Sequence, residues 1–150
     1  MAKRIDFKNF TKKDASELLY HMSVQSLLDL KSINGQITFK DIIDASEMAA
    51  YSKTVLFNGH VAYIAFGIPS ETNGQINLFL YATTEGYSKM QLMKESLFSV
   101  INDLQKFKIC SIVYKGNKKL QSLLRANDFK FNKNLFFGKE NRMFSLFVRE

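Results

Sequence analysis

Residues Ile76 to Tyr114 run I-N-L-F-L-Y-A-T-T-E-G-Y-S-K-M-Q-L-M-K-E-S-L-F-S-V-I-N-D-L-Q-K-F-K-I-C-S-I-V-Y. Ile76 to Ala82 and Ile109 to Tyr114 are short runs, apolar enough to be buried strands. Between them Met90, Met93, Leu97, Val100, Ile101 and Leu104 recur at helical spacing. Lys89, Lys94, Glu95, Asn102 and Asp103 take the other positions, so the segment reads as an amphipathic helix. A strand, one helix and a second strand return the chain in the same direction. The two strands should therefore be parallel, joined by a right-handed crossover.

On the C-terminal side, Asn117 can cap a short helix carrying Leu120, Leu123 and Leu124, and two phenylalanine-rich strands follow, Phe129 to Phe137 and Met143 to Val148. We expect Leu97, Ile101, Leu104, Ile112, Leu120 and Leu124 to share one core. On the N-terminal side, Asn58-Gly59 lies between Thr54 to Phe57 and Val61 to Gly67, the signature of a tight hairpin. Before it, Lys3 to Lys8 reads as a strand. Thr11 with Asp14 resembles a capping box opening a helix through Tyr20 and on towards Leu30, broken by Ser32 to Gly35. Thr38 caps a second helix, with Ile42, Ile43, Met48, Ala49 and Ala50 inward and Asp41, Asp44 and Glu47 outward. The expected order is β, α, α, β, β, β, α, β, α, β, β: a mixed α/β fold, one central mixed sheet with helices on both faces.

The chain has 150 residues, 46% hydrophobic and 13% aromatic against 23% charged, which suits one domain spanning residues 1–150 rather than a disordered chain. Folding a chain of this length removes about 17,000 Å² from water, enough for a core without metal or disulfide. No apolar run longer than Val61 to Pro69 occurs, well short of a membrane span, and Met1 to Phe10 lacks the apolar core of a signal peptide. A cytoplasmic or intravirion protein is expected. Cys110 is the single cysteine, which excludes an intrachain disulfide and a thiolate metal cage. Residues 1–75 carry eight Lys/Arg and eight Asp/Glu, whereas residues 76–150 carry thirteen and six, so the net charge of +7 belongs to the second half. Lys115, Lys118, Lys119, Arg125, Lys130, Lys133, Lys139 and Arg142 are its densest part, a pattern that attracts phosphates or merely keeps a face solvated.

The element order, together with I-C-S-I-V-Y-K-G-N-K-K-L-Q-S-L-L-R-A-N-D-F at Ile109 to Phe129, resembles the GNAT superfamily of Gcn5-related N-acetyltransferases over essentially the whole chain. The segment is similar to that family's fifth strand, asparagine, short helix and terminal Gly-Phe, here Asp128-Phe129. More narrowly, it resembles the small GNAT-like internal virion proteins of short-tailed phages. The resemblance implies acetyl-CoA or another acyl-CoA as cofactor, and strands Ile76–Ala82 and Ile109–Tyr114 that separate towards their C-terminal ends.

In this family a Gln/Arg-x-x-Gly-x-Gly/Ala turn holds the CoA pyrophosphate on backbone N–H groups. The matching stretch is Thr83, Thr84, Glu85, Gly86, Tyr87, Ser88, followed by Lys89, in which only Gly86 keeps the pattern and Glu85 adds a negative charge. Asn117, Lys118 and Lys119 complete the implied cofactor-binding set. The family's acid tyrosine corresponds to Leu124, which has no proton to give, and strand Ile76 to Ala82 offers only Tyr81 as a titratable side chain.

Other constellations read as structure. Asp41, Asp44 and Glu47 fit a solvated helix face, Cys110 a small packed residue, and His21 and His60 lack the neighbours of a metal site. Phe129, Phe131, Phe136 and Phe137 interleave with the basic tail without a recognisable RNA-recognition or zinc-finger motif. Three functions stay open. The first is a GNAT-fold accessory or internal virion protein with a degenerate acyl-CoA site, contacting phage or host proteins or itself. The second is an active N-acetyltransferase acting on an amine, and the third a nucleic-acid-binding module using the basic C-terminal half.

Overall fold

A computed structural model describes residues 4–23, 26, 38–138 and 141–150. The elements are β1 (Ile5–Asn9), α1 (Lys12–His21), α2 (Phe39–Met48), β2 (Tyr51–Phe57), β3 (His60–Pro69), β4 (Gln75–Ala82), α3 (Thr84–Ser88), α4 (Met90–Asp103), β5 (Lys108–Tyr114), α5 (Lys118–Ala126), β6 (Lys130–Phe137) and β7 (Arg142–Arg149). The order matches expectation with one addition, the short helix α3, where the sequence suggested a turn. The start of the first strand at Lys3, the extension of α1 towards Leu30 and the break at Ser32 to Gly35 lie outside the described residues.

Seven strands form one sheet in the order β1-β2-β3-β4-β5-β7-β6. The β4–β5 pair is parallel, as the crossover demands, and the remaining neighbours are antiparallel. Asn58 and Gly59 both have positive φ, 52° and 85°, the geometry that lets a two-residue turn follow the strands' twist. Along β3 every residue from Val61 to Gly67 is buried, and the side chains alternate between two cores. Tyr63 and Ala65 enter a core beneath α3, α4 and α5, while Ile64 and Phe66 enter one beneath α1 and α2. The helices thus cover both faces.

The first core holds Leu97, Ile101, Leu104, Leu120 and Leu124 together, but not Ile112. Ile112 is half-buried on the opposite face of β5, where it pairs with Leu146, because Ile109 and Val113 take the core-facing positions. Met48 is a second correction. It is exposed at the end of α2, since six residues after the buried Ile42 a helix has turned to its far side.

Caps behave as the sequence indicates. In α2 the Asp41 N–H donates to Thr38 Oγ1 at 3.3 Å while the Thr38 N–H donates to Asp41 Oδ2 at 2.9 Å. In α1 the buried Asp14 Oδ2 accepts from the Thr11 N–H (2.9 Å), Lys8 Nζ (2.6 Å) and the Thr54 hydroxyl (2.8 Å). Burial pushes the Asp14 carboxyl up, but these donors outweigh it and hold it below the ordinary carboxylate value. The end of α5 is a Schellman closure: the Phe129 N–H reaches Leu124 O at 3.0 Å and the Asp128 N–H reaches Arg125 O at 3.2 Å, with Asp128 at φ 68°. Asp128 therefore occupies the left-handed position for which glycine is usual.

Candidate active site at the end of β4

Pairing between β4 and β5 is confined to Gln75–Lys108, Ile76–Ile109 and Asn77–Cys110, after which the strands part. Parted strands leave peptide groups that need partners. Here the chain supplies several of them itself. The Ser111 hydroxyl donates to Leu78 O at 2.8 Å, one residue beyond the last pair. At the far end of β4, the Ser23 N–H donates to Ala82 O and the Ala82 N–H donates to Ser26 Oγ, both at 2.9 Å, while Met22 bridges Thr83. Leu80 lies between these two closures.

Thr83 is buried and serves as the N-cap of α3. Its Oγ1 accepts from the Gly86 N–H at 3.0 Å and donates to the carbonyls of Val61 and Ala62, at 3.0 and 3.1 Å. The Tyr87 N–H is bonded to Thr83 O and the Lys89 N–H to Gly86 O, at 3.2 and 3.0 Å. Gly86 is pressed onto β3, where a Cβ would come within 2.2 Å of Ala62 O. The missing side chain thus permits helix-on-strand contact. Lys89, at φ −120° and ψ 64°, then breaks the path between α3 and α4.

The residues implied by the resemblance divide between two sides of α3. Thr84 and Ser88 line a cleft of about 740 Å³ with Glu85, Glu17, Tyr20, His21 and His60. Within it Glu85 pairs with Lys89 at 2.9 Å, and that bond, strengthened by the neighbouring His60 and His21, holds its carboxyl below the ordinary value despite slight desolvation. On the other side, Tyr87 and Asn117 are buried against each other, with Asn117 Nδ2 donating to the Tyr87 hydroxyl at 3.4 Å. Asn117 also caps α5 by accepting from the Leu120 N–H at 3.2 Å, and Lys119 Nζ stands 6.0 Å from the Tyr87 ring centre. Lys118 is exposed on the outer face of α5.

Tyr81 points away from both groups, into the core beneath α1 and α2, where its ring meets Phe66 at 6.3 Å. Leu124 is fully buried. Cys110 is buried, and burial raises its thiol above the ordinary range, the opposite of what a nucleophile needs. Among the described residues no three His, Cys, Asp or Glu side chains converge as metal ligands, and no helix is long and apolar enough to cross a membrane. The cleft was not legible beforehand. Glu17 and His21 lie one helical turn apart on α1, and nothing local announces that the Asn58-Gly59 turn carries His60 to them.

A scan against protein-family models finds no match, and a search of curated proteins finds none either. Solved structures do match in shape. Ard1 from Thermoplasma volcanium superposes with a TM-score of 0.72 at 15% identity, over 97% of this chain and 96% of that one. The ribosomal-protein-S18-alanine N-acetyltransferase from Escherichia coli gives 0.71 at 13% identity, over 97% and 92%. The GNAT-family acetyltransferase from Bacillus anthracis gives 0.69 at 12% identity, over 99% and 96%. Likeness at such low identity is one of architecture, and the chain has the fold of the GNAT acetyltransferases.

Proposed function

We propose that this chain is a GNAT-fold protein whose acyl-CoA site has degenerated, with weak or no acetyl transfer, and that it works as an accessory protein of the internal virion kind its sequence resembles. One observation carries the reading: hydrogen-bonding groups that an acyl-CoA would use are already bonded within the chain. The Gly86, Tyr87 and Lys89 N–H groups are taken at α3, and Leu78 O and both Ala82 peptide groups are taken along β4. A ligand at these particular groups would have to displace their bonds, and each buried group left unpaired costs about 1–3 kcal/mol. Leu124 supports the reading further, because the resemblance puts the family's acid tyrosine at this buried position and a leucine has no proton to give. On this reading the residues present do not fit a CoA pyrophosphate.

Calorimetric titration with acetyl-CoA, beside a thermal-shift scan, tests the proposal. No heat and no shift at millimolar ligand is the expected result. A micromolar Kd, with about 2.7 kcal/mol of added stability at hundredfold excess, would overturn it.

The cleft favours a second reading, an active N-acetyltransferase. His21 and His60 supply bases that β4 lacks, and Glu17 and Glu85 could attract an amine. Acetyl-CoA consumption over a panel of primary amines separates the two readings. If the enzyme is active, Glu85→Gln should also tighten acetyl-CoA by removing a carboxylate from the cofactor turn.

A further inference from the structure

Strand β6 ends the sheet, with β7 on one side and no described strand on the other. All but two of its residues are exposed, including the large rings of Phe131 and Phe136, at 48% and 62%. Register places the two rings on one face. Phe131 pairs with Phe147, Asn134 with Ser145 and Phe136 with Met143, alternate residues of β7, the irregularity at Asn132 keeping both rings in phase. Four strand steps separate them, about 13 Å. Helix α5 stands beside that face: the Arg125 guanidinium lies 5.2 Å from the Phe147 ring centre, and Phe147 meets Phe131 edge-on at 6.0 Å. Lys118, Ser122 and Arg125 form an exposed stripe at i, i+4 and i+7. Lys130 and Lys133, opposite Val148 and Leu146, lie on the other face of β6.

Charge completes the picture. Lys118 and Arg125, beside the rings, and Lys130 and Lys133, on the other face of the strand, have no ion-pair partner among the described residues. Among the described residues the acids near this edge, Asp128 and Glu150, sit at its Lys130 end, and Glu150 pairs with Lys108 at 3.5 Å. A surface with uncompensated cations around two displayed rings suits a polyanion whose flat apolar groups are already splayed out. We propose that the Phe131 and Phe136 face of β6 and the outer stripe of α5 bind single-stranded nucleic acid, with bases stacking on Phe131 and Phe136 and phosphates meeting Arg125 and Lys118. Duplex bases are stacked on each other and offer these rings nothing.

The test is fluorescence anisotropy with labelled oligo-dT and oligo-rU, a duplex of equal length and heparin as competitor, read from 50 to 300 mM salt. Expected are preference for the single strands and a log–log salt slope of about −1.4 for two neutralised phosphates. Phe131→Leu and Phe136→Leu, which keep apolar bulk without a ring, should each weaken binding about tenfold at unchanged thermal midpoint. Absence of binding at 50 mM salt overturns the proposal. So does binding that ignores both substitutions or favours the duplex, which marks a general polyanion surface. Sedimentation showing a dimer that both substitutions dissociate, without oligonucleotide binding, overturns it in favour of a second copy on this edge.

Discussion

Replacing Gly86 with alanine sets two physical effects against each other. Helix propensity alone favours alanine by about 1 kcal/mol, and Gly86 has an ordinary helical backbone that alanine can adopt. Packing opposes it. The new methyl would lie 2.2 Å from Ala62 O, 3.0 Å from Ala62 C and 3.3 Å from its Cα, all backbone of the buried strand β3, so no flexible side chain can yield. Reaching ordinary contact requires α3 to retreat by about 1 Å, which strains the bonds from the Thr83 N–H and hydroxyl to Ala62 O, at 2.9 and 3.1 Å. Overpacking at about 1–3 kcal/mol with two weakened bonds at about 0.5 kcal/mol each exceeds the propensity gain, for a net loss of about 2 kcal/mol. In a domain of this size that lowers the thermal midpoint by about 4–8 °C. Urea and thermal unfolding of Gly86→Ala measure it, with Ser88→Ala on the exposed side of α3 as the control. An unchanged or raised midpoint would refute the close approach of α3 to β3 and reopen Gly86 as a phosphate-facing residue.

Three further outcomes follow from the packing and caps. Leu97→Ala in the core beneath α4 should lose about 2–5 kcal/mol by urea unfolding; a loss below half a kilocalorie would mean the helix presents another face. Asp14 has a lowered folded pKa, so its stabilisation is present above the unfolded value near 3.9 and fades as pH falls through the folded one. Asp14→Asn should cost about 2 kcal/mol at pH 7 and converge with the parent as pH falls below the ordinary carboxylate range, and a constant gap on acidification contradicts the assignment. Asp128→Gly relieves a left-handed aspartate and should raise stability by about 0.5–1 kcal/mol, measured by thermal unfolding, whereas a loss would show that the Asp128 side chain is needed there.

The parts of the fold visible in the sequence are those with a local physical cause. The Asn58-Gly59 turn, the Thr11 and Thr38 caps and the stripe from Met90 to Leu104 each announce themselves within a few residues, and the crossover rule converts the stripe into a parallel pair. Ile112 was misplaced because a strand buried on both sides carries no alternation to say which face is which. Helix α3 escaped notice because five residues cannot show a helical period, and Gly86 reads as a turn residue until the Ala62 backbone is seen against it. The closures on β4 were hidden for another reason: Ser23, Ser26 and Ser111 are common polar residues, distant in sequence from the peptide groups they satisfy. The β6 patch lay between these extremes, since its charge was countable but its rings could not be assigned to one face without the register around Asn132.

An amide-resolved titration with acetyl-CoA tests most directly the proposal that the groups an acyl-CoA would use are already occupied within the chain. In ¹H–¹⁵N spectra the Gly86 and Ala82 N–H groups should be protected from hydrogen exchange without ligand and should not shift as acetyl-CoA is raised to millimolar concentration. Saturable shifts of Gly86, Tyr87, Leu80 and Ala82 at micromolar acetyl-CoA would contradict the account and establish a working cofactor site at the parting of β4 and β5.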